Sequence, residues 1–124
     1  MTISEVAKKY EMTPEGLRYY ERIGLLPSVG RNKNGIRDYT EDDCNWIEFI
    51  RCMKSAGLSI ETLIEYVRLF KDDSTLEARK ALLKEEQEKL LEKIKEMQLV
   101  AERLEGKLKY YDDKIKERGV KCNY

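Results

Sequence analysis

Thr13-Pro14-Glu15-Gly16-Leu17-Arg18-Tyr19-Tyr20-Glu21-Arg22-Ile23-Gly24-Leu25-Leu26 spells out one complete short helix together with both of its ends. Thr13 can accept from the amides that a helix start leaves unpaired. Pro14 fits the first helical position, where no donor is needed, and Gly24 suits the left-handed residue just past the end. Leu17 and Ile23 can turn toward a core, whereas Arg18, Tyr19 and Arg22 have another outlook. A cation beside a phenol near a helix start suits phosphates and base edges, but it also suits the wet side of any amphipathic helix. The neighbouring segments decide between the two.

Upstream, Thr2-Ile3-Ser4-Glu5 has capping-box spacing, and Ile3, Val6, Ala7 and Tyr10 follow at helical intervals. A helix is predicted over about residues 3–10. Only Glu11 and Met12 separate it from Thr13, so two short helices meet across a tight turn. This is the helix-turn-helix arrangement, which carries its second helix outward into a DNA groove. Downstream, Val29 leads into Gly30-Arg31-Asn32-Lys33-Asn34-Gly35 and then Ile36-Arg37-Asp38-Tyr39. Asn34-Gly35 suits a turn with positive φ at its central residues, so short strands on either side can pair as a hairpin, here termed the wing. Pro27 to Arg37 holds Arg31, Lys33 and Arg37 and no acidic residue. A solvated basic loop is the alternative reading of that stretch.

Thr40-Glu41-Asp42-Asp43 opens the next helix with a cap and an acidic first turn. Trp46, Ile47, Phe49, Ile50 and Met53 give it an apolar face, and Gly57 ends it. Ser59 starts another helix with Leu63, Ile64, Val67, Leu69 and Phe70 inward, closed by Asp72-Asp73-Ser74. Trp46, Phe49 and Phe70 are expected to be the largest core residues. From Leu76 the chain has no proline and, before Gly119, only Gly106, so a single very long helix is predicted. Leu76, Leu83, Leu90, Met97, Leu104 and Tyr111 recur every seven residues, and Ile94, Ala101, Leu108 and Ile115 interleave with them from the midpoint on. Leu82 and Leu91 widen the stripe of the first half, which can pack against the globular part. Leu90, Ile94, Met97, Ala101, Leu104, Leu108, Tyr111 and Ile115 thus form a two-helix seam whose partner is a second copy of the chain. Periodicity leaves open whether the two run parallel or antiparallel.

Composition narrows the function classes. The 24 basic and 24 acidic residues cancel, so only local charge can specify a partner. The chain has no histidine, its three cysteines Cys44, Cys52 and Cys122 lack metal-ligand spacing, and no glycine-rich phosphate loop is present. Catalytic triads are excluded, the cysteine spacing speaks against structural zinc, enzyme becomes the weak hypothesis, and no cofactor is expected. Charges interrupt the first 20 residues, so neither a signal peptide nor a membrane span is drawn there and a cytoplasmic protein is expected.

In its order of motifs the chain resembles the MerR family of transcriptional regulators over essentially its whole length. Leu17-Arg18-Tyr19-Tyr20-Glu21-Arg22-Ile23-Gly24-Leu25-Leu26 is close to the family signature and Ile36-Arg37-Asp38-Tyr39 to its wing ending. The resemblance implies a mainly α fold. It comprises a winged helix-turn-helix DNA-binding domain over residues 1–73 with a small β-hairpin wing, a long dimerisation helix over 75–118 forming an antiparallel coiled coil, and a flexible tail over 119–124. It further implies a homodimer on a palindromic promoter in double-stranded DNA, bending and untwisting an overlong spacer so that RNA polymerase engages both promoter elements. Arg18 and Tyr19 are expected on phosphates or base edges, with Tyr20 at the helix base or touching the backbone. Arg31, Lys33, Arg37 and Tyr39 are expected on flanking backbone from the wing.

Metal-sensing relatives carry cysteines where Asp72-Asp73-Ser74-Thr75 and a solitary Cys122 stand here, and drug-sensing relatives carry a ligand domain beyond the long helix, whereas this chain stops at Tyr124. What remains is similar to the AdhR/NmlR-like aldehyde- and thiol-stress branch, with Cys52 in the place of the sensor. Modification there would add bulk or polarity to a packed helix. Cys52 as a small buried hydrophobe is the alternative, as is a noncovalent small-molecule effector. Cys44 lies eight residues away on the same helix, about 12 Å along the axis, so the two cannot pair without unfolding it. From another class, a coiled-coil interaction module whose basic hairpin meets an acidic protein fits the same features.

Overall fold

The computed structural model describes residues 1–122, with side chains through residue 118. Five α-helices follow in order: α1 (Ile3–Lys9), α2 (Pro14–Arg22), α3 (Glu41–Ser55), α4 (Ile60–Phe70) and α5 (Leu76–Cys122), with a short 3-10 turn at Asp73–Thr75 before the last. The chain separates into two compact units, Met1–Glu86 and the remainder of α5 from Gln87. The first unit therefore reaches past residue 73 to take in the opening turns of α5. No described helix is long and apolar enough to cross a membrane.

The helix starts follow from their caps. Thr2, Thr13, Thr40 and Ser59 each accept from a backbone amide of the first turn, and at Thr2 and Thr40 the reciprocal capping box is complete through Glu5 and Asp43. The Thr2 bonds to Glu5 hold that carboxyl below its ordinary range. Gly24 adopts φ 87° just beyond α2, a conformation that a residue with a Cβ rarely accepts. The turn between α1 and α2 is made by Glu11 at φ 53°, the left-handed region, while the Met12 amide donates to Ala7 O at 2.8 Å. A left-handed glutamate carries a strain of order 1 kcal/mol.

Val6, Leu17, Leu25, Ile47, Ile50 and Leu63 are the largest fully buried side chains, joined in the core by Ala7, Tyr10, Leu26, Val29, Tyr39 and Cys44. The recognition segment, the loop after it, α3 and α4 thus share one core. The expected aromatic centre is corrected. Trp46 and Phe49 only pack against the core and Phe70 is 44% exposed. Branched aliphatics fill the interior instead, and the rings gather at its rim. Trp46 lies 4.9 Å from Phe70 and 5.8 Å from Tyr66, centroid to centroid.

Paired strands are likewise absent among the described residues of the wing, which holds one antiparallel bridge, Arg31 with Arg37. Side chains close the loop in their place. Asn32 Oδ1 accepts from the amides of Asn34 (2.9 Å) and Ile36 (3.1 Å), and Arg31 Nη1 donates to Gly35 O at 2.8 Å. Gly35 alone of the Asn34-Gly35 pair takes positive φ, at 77°. An Asx-type turn built on Asn32 therefore replaces the expected hairpin turn.

In the second unit, Ile94, Met97, Leu104, Leu108, Tyr111 and Ile115 are each at least half exposed, Ala101 is exposed too, and Leu90 is half-buried. Helix α5 passes through Gly106 without interruption, and nothing lies within 4 Å of a Cβ built there.

Candidate nucleic-acid interface

Burying Leu17 fixes the orientation of α2. With that residue fully inside, Glu15, Arg18, Tyr19 and Arg22 fall on the opposite face at positions i, i+3, i+4 and i+7, and all four are exposed. Tyr19 keeps 45% of its surface and carries the Arg22 guanidinium 5.3 Å from its ring centroid. Among the described residues Arg18 pairs only with Glu15, at 3.9 Å, a loose surface pair that a phosphate would readily replace. Two guanidinium groups and a phenol thus face solvent on one short helix.

Tyr20 turns the other way. Its ring packs on the core, and its hydroxyl accepts from Lys54 Nζ at 3.0 Å, with the ammonium 4.8 Å from the ring centroid. This cation and phenol join the base of α2 to the end of α3. Lys54 itself had no signal in the sequence beyond its charge.

The wing residues separate into three kinds. Arg31 and Lys33 are exposed, although the Arg31 guanidinium is partly engaged in closing the loop. Arg37 is committed to the protein, since its Nε donates to Glu21 Oε1 at 2.8 Å and both side chains retain less than a quarter of their surface. Tyr39 corrects the expectation of a DNA contact. It is 2% exposed, its ring belongs to the core, and its hydroxyl is buried without a hydrogen-bond partner. Burial accordingly raises its phenol above the ordinary value. Tyr39 closes the wing by packing, and its amide donates to Met1 O at 2.8 Å.

Glu21 is the residue that the sequence reading missed. Besides Arg37, it takes the Val29 amide at 3.4 Å on Oε2, so one carboxylate on the recognition helix holds both arms of the wing. A signal was present. Glu21 lies one turn after Leu17 and so falls on the inward side, where a carboxylate needs a cation. Replacing it by Gln should leave the Arg37 charge without its partner and loosen the wing by about 1.4 kcal/mol, read as roughly tenfold faster exchange of the Val29 and Asp38 amides. Unchanged protection of both amides would show the clamp to be idle.

The cysteines differ in access. Cys44 is buried, with its thiol 4.0 Å from Met1 Sδ, and beside it burial raises the Tyr10 phenol. Cys52 is exposed, which corrects its expected place inside a packed helix and removes the core-filler reading in the isolated chain. Cys122 lies outside the residues whose side chains are described.

Residues 1–69 match the family model for MerR helix-turn-helix regulatory proteins, and residues 45–107 match the model for the MerR DNA-binding region. The transcriptional regulator AdhR of Bacillus subtilis is 57% identical over 93 residues, covering 74% of this chain and 66% of AdhR, just under two thirds of its length. Among solved structures, a chain from Listeria monocytogenes assigned to the MerR family of transcriptional regulators is 44% identical with a TM-score of 0.87, covering 90% of this chain and 86% of that one. HiNmlR, a MerR family regulator lacking the sensor domain and bound to promoter DNA, is 30% identical with a TM-score of 0.78, covering 90% of each chain. These relatives are regulators rather than enzymes. With its recognition helix, wing and long helix matched to them, the chain belongs to the MerR family of DNA-binding, helix-turn-helix transcriptional regulators.

Proposed function

We propose that the protein acts in the cytoplasm as a homodimer that binds a palindromic promoter, distorts its spacer and thereby lets RNA polymerase engage both promoter elements. The observation that carries the dimer is the apolar stripe of α5, where Met97 is 70% exposed and Leu104 and Leu108 are each 61% exposed in the single chain. So much contiguous apolar surface marks an interface, and its heptad spacing calls for another helix of the same kind. A pair of recognition units then requires a site of matching two-fold symmetry. Bending such a site has an elastic cost of a few kcal/mol, which contacts from two wings can offset.

On this reading Arg18, Tyr19 and Arg22 read or brace the groove, Arg31 and Lys33 meet flanking phosphates, and Arg37 and Tyr39 hold the wing in place. The division is tested by two substitutions. Arg18→Ala should lower affinity for the cognate palindrome by about 1–3 kcal/mol and flatten the preference over scrambled duplex. Lys33→Ala, chosen because no hydrogen bond or ion pair among the described residues depends on it, should weaken all duplexes alike and reduce the salt slope by about one. If neither variant changes binding to any duplex, the DNA-contact assignment fails.

The stimulus is assigned to electrophiles, including aldehydes, acting at Cys52. Support comes from the likeness to AdhR and from an exposed thiol on the helix whose Lys54 grips Tyr20. Cys52→Ala should keep promoter binding and abolish induction by electrophiles, whereas Cys44→Ala should keep the response. Full induction of the Cys52→Ala protein, read from a promoter fusion, would instead favour a noncovalent effector.

A further inference from the structure

Of the four asparagines in the chain, only Asn34 is followed by glycine. The pair lies in the wing, where residues Asn32 to Gly35 form a turn closed by the Gly35 amide, which donates to Asn32 O at 3.0 Å. The two asparagines of this turn are placed differently. Asn32 Oδ1 is occupied as the acceptor for the Asn34 and Ile36 amides, whereas the Asn34 side chain is exposed and makes no hydrogen bond among the described residues. Beside it, Gly35 has open space where a Cβ would stand, so no side chain shields its nitrogen from the Asn34 carboxamide. The surrounding charge is one-sided. Pro27 to Arg37 holds Arg31, Lys33 and Arg37 and no acidic residue, and Arg37 is already paired with Glu21. The charges of Arg31 and Lys33 are what the wing can offer to a partner.

We propose that Asn34 is a site of spontaneous deamidation and that the carboxylate so created in the wing weakens DNA binding. In the reaction the Gly35 nitrogen attacks Cγ of Asn34, the new C–N bond closes a succinimide ring, and the side-chain nitrogen leaves as ammonia, taking up the proton that Gly35 gives up. Water then opens the ring at either carbonyl to give aspartate or isoaspartate. One water is consumed, one ammonia is released, and nothing is oxidised or reduced. Attack requires the Gly35 amide to leave Asn32 O, and the Asn32 side chain opposes that opening by holding the Asn34 and Ile36 amides. Asn32 is thus the brake on the reaction. The product sets one negative charge beside Arg31 and Lys33, so the wing keeps one net positive charge for phosphates where it had two. Isoaspartate in addition lengthens the main chain by a methylene and spoils the closure that Asn32 makes. The wing supplies no residue of the α5 seam. The loss of DNA affinity rests on the promoter reading, and the reaction itself does not.

Peptide mapping of the full chain after ageing at mildly alkaline pH should find aspartate and isoaspartate at position 34. The amides of Asn32, whose oxygen is engaged, and of Asn45, inside α3, should stay intact. Asn32→Ala should speed conversion of Asn34 at least about fivefold, because the turn then opens more often. Asn34→Asp, standing in for the aspartate product, should bind mixed-sequence duplex at low salt about three- to tenfold more weakly with the melting temperature unchanged. Asn34→Gln, whose longer side chain would have to close a larger ring, should keep both its affinity and its amide through the same ageing. An Asn34 that stays intact in the folded chain while the guanidinium-unfolded chain converts it would show that the closed turn withholds the Gly35 nitrogen, and would overturn the proposal. So would an Asn34→Asp protein that binds duplex as tightly as the parent. If Lys33→Ala still weakens binding in that case, the DNA reading survives, and if Lys33→Ala is equally silent, both fall.

Discussion

Leu104→Glu combined with Leu108→Glu should yield a monomer whose promoter affinity is lower by about 10²–10⁴. Both leucines are 61% exposed in the single chain and stand one turn apart on the heptad stripe. If that stripe meets its own copy, the double substitution places four carboxylates in an apolar seam. Each would lose hydration without gaining a cation. The loss on DNA follows from losing the second half-site, whose binding in a dimer is effectively intramolecular. The first unit has its own core, so its helical signal and melting should persist. Sedimentation giving a dimer mass for the doubly substituted protein would refute the seam, whatever the DNA affinity.

Leu17→Ala should have the largest effect on the folded unit itself. The side chain is fully buried in the core cluster, and truncation at such a site costs about 2–5 kcal/mol through lost transfer energy and a residual cavity. For a unit of this size that lowers the melting temperature by roughly 10–30 °C. Arg18→Ala, one residue later and exposed, should leave melting within about 2 °C while acting on DNA binding. The contrast separates residues that hold α2 in place from residues that α2 presents. A loss below about 0.5 kcal/mol for Leu17→Ala in urea would mean that α2 is not anchored through this side chain.

Most of the element order was legible because it is written locally. Thr2, Thr13, Thr40 and Ser59 announce helix starts by a hydroxyl that reaches only its own first turn, and Gly24 announces an end by a conformation that depends on its missing Cβ. The exposed face of α2 was legible for the same reason, since burial of Leu17 dictates where Arg18 and Tyr19 point. The left-handed residue in the turn between α1 and α2 was not. Glycine would normally mark it, and here Glu11 takes the strain.

The wing shows where local reading stops. Arg31, Lys33, Arg37 and Tyr39 look alike in sequence, as polar or aromatic residues of one basic stretch, and their composition alone suits all four to DNA. Their fates depend on what folds back against them. Arg37 meets Glu21 from a helix 16 residues earlier, and Tyr39 sinks into the core beside α1. Helical spacing likewise points Trp46, Phe49 and Phe70 toward the core, yet spacing gives only the side of a helix and not the depth of its burial. The sequence by itself determined the helices, the exposed cationic face of α2 and the heptad stripe of α5, because each follows from contacts within a few turns of one segment. Only the tertiary structure decided which wing residues remain free for a partner, which cysteine is open to solvent and that the large aromatic rings gather at the rim of the core, because those depend on distances between segments far apart in the chain.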